Sequence, residues 1–62
     1  MKNYRLYIQF FSPDKIPLTR LEITVEASNL FEAKQIKEND LKETGYSLNE
    51  FLIYKIEVEN EN

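Results

Sequence analysis

The stretch Phe51-Leu52-Ile53-Tyr54-Lys55-Ile56-Glu57-Val58 constrains the fold more than any other. It is rich in aromatic and β-branched residues, which suit a pleated and partly buried surface, so it reads as a strand. Its first half is apolar on both faces, the pattern of a strand covered on both sides. A chain of 62 residues has little material to do that. A domain of this size buries only ~60% of its unfolded surface and is marginally stable.

Small domains usually add disulfides, a metal or a partner. This chain has no cysteine and no histidine. Disulfides and Cys/His zinc sites are therefore excluded. Tight packing and oligomerisation remain. Four Tyr and four Phe supply large side chains for either.

The rest of the chain gives three more elements. Residues 3–11 alternate: Tyr4, Leu6, Ile8 and Phe10 point one way, Arg5, Tyr7, Gln9 and Phe11 the other. Ser12-Pro13-Asp14-Lys15-Ile16-Pro17 is turn chemistry without glycine, which predicts a loop of about four to six residues. Residues 18–27 form the cleanest alternation, with Leu21, Ile23, Val25 and Ala27 toward the core and Arg20, Glu22, Thr24 and Glu26 outward. A helix is expected over 29–44. Asn29 and Glu32 fit a capping box, and Gly45 suits the left-handed position after the helix. Leu30, Ala33, Ile36, Lys37 and Leu41 share one side of it. Asp40 lies inside that stripe and Phe31 about a quarter turn outside it, so a break near Asn39-Asp40 is an alternative. Residues 59–62 read as a frayed acidic tail.

The order β-β-α-β predicts one α+β domain over 1–62. We expect a two-layer sandwich: a three-stranded mixed sheet with one helix on one face. Strand order 2-1-3 is preferred to 1-2-3, because the first strand is the more apolar and suits the centre. The last strand is then an edge. With Leu52, Tyr54, Ile56 and Val58 turned to the helix, Phe51 and Ile53 fall on the uncovered face beside Tyr7 and Phe11. An exposed apolar patch of that kind marks an interaction surface. A homodimer would cover it.

Little catalytic chemistry is available. Glu22 and Glu26 are about 13 Å apart along a strand, beyond the ~5–9.5 Å of paired catalytic carboxylates. Glu57 and Glu59 are nearer, but at an open end. Nucleophilic triads lack their base, and one glycine makes no phosphate loop. Glu38, Asn39, Asp40 and Glu43 lack the spacing of an oxygen-ligand cation site. No enzyme activity, no cofactor and no metal site is expected.

Net charge is −3 and the pI about 4.8, against a general nucleic-acid binder. No signal peptide or membrane-length apolar run is read, so a cytoplasmic location is the default expectation. The expected function is protein binding, as an adaptor or inhibitor docking on a larger protein or ribonucleoprotein. Small acidic proteins of phages and other mobile elements block nucleases in this way. The expected contact residues are Tyr7, Phe11, Phe51 and Ile53 as apolar anchors, with Glu22, Glu26, Lys55 and Glu57 around them. The alternative is a single-stranded nucleic-acid binder that stacks bases on the same aromatics, helped by Arg5, Arg20 and Lys55.

Overall fold

The computed structural model describes residues 1–59. Its elements are β1 (Lys2–Phe11), β2 (Pro17–Ala27), α1 (Leu30–Thr44) and β3 (Phe51–Val58). The fold is α+β, with a three-stranded sheet in the order β2-β1-β3 and the apolar β1 in the centre. Both pairings of β1 are antiparallel, so the expected mixed sheet does not form. β2 and β3 run the same way but never meet, because the α1 crossover carries β3 past β1 to its far side.

The core is small. Tyr4, Leu6 and Ile8 of β1 are buried, with Ala27, Ala33, Leu41 and Phe51. Tyr4 and Leu6 pack with Ala27 and Ala33, where two alanines allow the start of the helix close to the sheet. Ile8 packs with Leu41 and Phe51. Ile23 and Ile53 are half-buried against both groups.

Phe51 and Ile53 therefore lie on the helix side, not on the open face expected for them. The cause is a β-bulge. Tyr7 pairs with Lys55, but the next residue, Ile8, pairs with Ile53, so Tyr54 has no partner on β1. One unpaired residue reverses the facing of everything beyond it. Phe51 and Ile53 turn inward before the bulge, and Ile56 turns inward after it. Leu52 and Tyr54 turn outward and are about half exposed. The double-sided apolar run is thus an amphipathic strand with one residue inserted.

A second bulge lies on β2, where Leu18 and Thr19 together face Phe10. Pro17 takes the first position of β2, where its missing N–H does least harm. The hairpin loop is residues 12–16. The Lys15 N–H donates to the Ser12 carbonyl (2.8 Å), and the Ile16 N–H to the Ser12 Oγ (3.1 Å). Lys15 has φ 66°, a left-handed conformation that costs a side-chain-bearing residue roughly 1–2 kcal/mol. Lys15→Gly is therefore expected to stabilise the fold by ~0.5 kcal/mol, after glycine's own entropic cost. A melting curve checks this. An unchanged or lower melting temperature would show that the loop is not strained.

The helix is continuous, without the break considered at Asn39-Asp40. Asn29 Oδ1 accepts the Glu32 N–H (2.8 Å), while Glu32 Oε1 accepts the N–H of Ser28 (2.9 Å), one residue earlier than a strict capping box. At the other end Gly45, at φ 113°, donates to Lys42 and Tyr46 donates to Leu41, which is a Schellman motif. Asp40 is accommodated by Lys37, whose Nζ reaches it at 3.0 Å. The Lys37 stem fills the stripe, with only 15% of the side chain exposed, and its charge leaves at the rim. Phe31 stays out of the stripe and is 80% exposed. No described helix is long and apolar enough to cross a membrane.

Candidate functional site

The face of the sheet away from the helix is built by alternation. β1 offers Arg5, Tyr7 and Gln9; β2 offers Arg20, Glu22, Thr24 and Glu26. β3 offers Leu52, Tyr54, Lys55 and Glu57, with Glu59 just beyond it. Among the expected contact residues, Tyr7, Glu22, Glu26, Lys55 and Glu57 share this face. Phe11 is half-buried at the hairpin end, opposite Pro17, and its N–H donates to the Glu50 carbonyl at 2.9 Å. Phe51 and Ile53 belong to the core.

The face is a hydrogen-bonded charge network, not an apolar patch. Arg5 is its centre. Its Nε and Nη2 donate to Glu59 Oε2 (3.1 and 2.6 Å), and its Nη1 to Glu22 Oε2 (3.0 Å). Thr24 Oγ1 donates to the other Glu59 oxygen at 3.2 Å. Glu59 thus reaches from the end of β3 over β1 to β2. Its N–H also bonds the Asn3 carbonyl (2.8 Å), so it is not part of a frayed tail; residues 60–62 of that expected tail lie outside the described residues. The carboxylates push the Arg5 guanidinium further up in pKa, Glu59 most of all.

Tyr7 is the second centre. Its hydroxyl donates to Glu57 Oε1 at 2.6 Å, and Lys55 Nζ lies 3.5 Å from the other Glu57 oxygen and 5.2 Å above the Tyr7 ring. The Tyr7 and Tyr54 rings are 6.2 Å apart and tilted by 50°. The Arg20 guanidinium lies 5.6 Å over the Tyr54 ring, while its Nε donates to Gln9 (2.8 Å). The bond with Glu57 raises the Tyr7 hydroxyl and lowers Glu57. Away from this face, the Ser47 N–H and hydroxyl lower Glu50 in the same way.

These shifts have a readable sign. Glu50 and Glu57 titrate lower in the folded chain. Their contribution to stability is full above the unfolded carboxylate value of about 4.3 and is lost as pH falls through the lowered folded values. Tyr7 acts at the other end: its contribution is full below about pH 10 and is lost as pH rises further. Melting temperatures measured from pH 6 down to pH 3 should fall. The fall should be shallower in Glu50→Gln/Glu57→Gln. An equal fall in that double variant would show that other groups carry it.

Sequence reasoning missed Arg5 and Glu59 as the tie between strands, and Leu52 and Tyr54 as the exposed apolar pair. Residue order gives no unique signal for the pair: 51, 53, 56 and 58 alternate around one extra position, but 52, 54, 56 and 58 alternate without one.

The depression on this face, about 320 Å³ and lined by Arg5, Glu57, Val58 and Glu59, is open to solvent. Among the described residues, no group of three or more carboxylates is arranged to hold a metal ion. A larger open groove of about 620 Å³ runs between β2 and α1, lined in part by Ile23, Val25, Ile36 and Glu43. Comparison with protein-family models, curated proteins and solved structures finds no match to this chain.

Proposed function

We propose that the chain is a small non-enzymatic protein-binding module. It acts as an adaptor or inhibitor and docks on a larger protein or ribonucleoprotein through the open sheet face and its acidic rim. One observation carries this reading. Two of the cations on the face are held by its own carboxylates, Arg5 by Glu22 and Glu59 and Lys55 by Glu57. The face therefore presents fixed acids around a Tyr7–Tyr54 platform, on a chain of net charge −3. Such a surface suits a basic partner, with charge steering the encounter and aromatic area holding it. Leu52 and Tyr54 are the apolar anchors, in place of Phe51 and Ile53. The reading includes a two-layer arrangement, in which the helix lies over one face of the sheet and leaves this one uncovered, and a cytoplasmic setting.

The alternative, single-stranded nucleic acid, draws support from the same platform, since Arg20 and Lys55 sit over its rings. It is weaker because the phosphates would meet Glu22, Glu57 and Glu59. Affinity capture from the native host tests both. A partner protein should be retained by the wild type, lost in Leu52→Ala/Tyr54→Ala and kept in Phe31→Ala. Retention by the double variant would rule this face out. Quenching of tyrosine fluorescence by an oligonucleotide at low salt, with steep salt dependence, would favour the alternative.

A further inference from the structure

We infer that β2 is a docking edge for a second copy of the chain, paired antiparallel about a two-fold axis at Ile23. The two edges of the sheet are not alike. β3 has 8 residues and is broken by the bulge at Tyr54. Irregular, short edges of that kind resist pairing. β2 has 11 residues, and its own bulge is confined to Leu18–Thr19, so Arg20 to Ala27 run regularly.

The free backbone groups of β2 can be assigned. The Asn3 carbonyl and the Phe11 N–H bond toward β3, so odd residues of β1 face β3 and even residues face β2. Through the β1–β2 register, Leu21, Ile23, Val25 and Ala27 then bond to β1. Arg20, Glu22, Thr24 and Glu26 present their N–H and C=O groups to the outside. Beside this edge the helix side is not closed. Leu21 is 39% exposed and Ile36 42%, and the open groove separates β2 from the helix.

Self-pairing must match outward residues with outward residues, and the side chains choose among the registers. An axis at Glu22 sets Glu22 against itself. An axis at Thr24 sets Glu22 against Glu26. Like charges directly opposite are destabilising. An axis at Leu21 joins Arg20 to Glu22, but it draws the Leu18–Thr19 bulge into the ladder and puts Ile23 against Thr19. An axis at Ile23 avoids all of these. It sets Ile23 on Ile23, Leu21 on Val25, Glu22 on Thr24 and Arg20 on Glu26. Among the described residues, neither Arg20 nor Glu26 has an ion-pair partner within the chain.

The axis is normal to the sheet. Both helices therefore lie on one side, bringing Ile36 of each copy toward the join, and both open faces lie on the other. This is the partner that the size of the chain calls for, on a different surface from the one the sequence indicated. It does not depend on the open-face reading, and either can fail alone.

Sedimentation equilibrium on the full chain tests it. The wild type should approach twice 7.4 kDa at micromolar to millimolar concentration. Thr24→Pro removes an outward N–H that the monomer does not use, and should give a folded chain of 7.4 kDa. The charge series tests the register without altering the backbone. Arg20→Glu and Glu26→Arg should each weaken the dimer about ten-fold, since each reverses both symmetry-related pairs. The double variant Arg20→Glu/Glu26→Arg should recover it. A wild-type mass of 7.4 kDa throughout, a dimer that survives Thr24→Pro, or a double variant no tighter than the singles would overturn the proposal.

Discussion

Ile8→Ala should leave the chain largely unfolded at 25 °C. Ile8 is fully buried, and it joins the Leu41–Phe51 group to the centre of the sheet. Truncating a buried Ile to Ala costs about 2–5 kcal/mol, with the upper end where the surroundings cannot collapse. At roughly 0.05–0.15 kcal/mol per residue, a chain of this length has only ~3–9 kcal/mol to lose. β1 is held on both sides by the sheet, so its backbone has little freedom to close the cavity. Urea titration followed by circular dichroism measures the loss. Ile8→Val, which removes one methyl group, should cost ~0.5–1.5 kcal/mol and keep the fold. A chain that tolerates Ile8→Ala with less than about 1 kcal/mol would place the core elsewhere.

The second large effect is a contrast between neighbours. Phe51→Ala should destabilise by about 3–5 kcal/mol, and Leu52→Ala by no more than about 0.5 kcal/mol. Phe51 is 6% exposed against Ile8 and Leu41, whereas Leu52 is 54% exposed on the open face. A strand that alternated without interruption from Val58 would give the reverse, with Leu52 inside. Comparing the two urea midpoints therefore tests the bulge at Tyr54 directly. Equal losses, or a larger loss at Leu52, would contradict it.

Much of the fold can be read from residue order, and the reasons differ by element. β2 and the helix carry local signals: strict alternation in one, and Asn29, Glu32 and Gly45 in the other, where Asn29 and Gly45 cap the helix as expected and the Glu32 carboxylate takes the N–H one residue earlier, on Ser28. The strand order also follows from composition, since β1, the more apolar strand of the hairpin, lies centrally. What could not be read is pairing. A bulge is a relation between two strands, and nothing in residues 51–58 alone says which of them β1 will leave unpaired. That single unknown exchanged Phe51 and Ile53 for Leu52 and Tyr54 on the candidate face. The central Arg5 link was hidden for a similar reason, because Glu22 and Glu59 lie 17 and 54 residues away from it. Asp40 looked like a helix breaker only because the pairing of Lys37 with it adds a favourable contact that a hydrophobic wheel does not count.

The inserted Tyr54 has a consequence for how the chain can vary. Removing a residue from a regularly paired stretch of strand shifts its register and turns the apolar side chains beyond it to the other face. Removing Tyr54 does the opposite. The shortened strand would read Phe51, Leu52, Ile53, Lys55, Ile56, Glu57, Val58, a strict alternation with Phe51, Ile53, Ile56 and Val58 all on the helix side. A one-residue deletion, ordinarily tolerated in loops, is thus compatible here with an ordered strand. It would cost the open face one of its two paired rings and leave Arg20 without the ring beneath it. Chain length in β3 is in this sense a setting for the binding surface and not for the core.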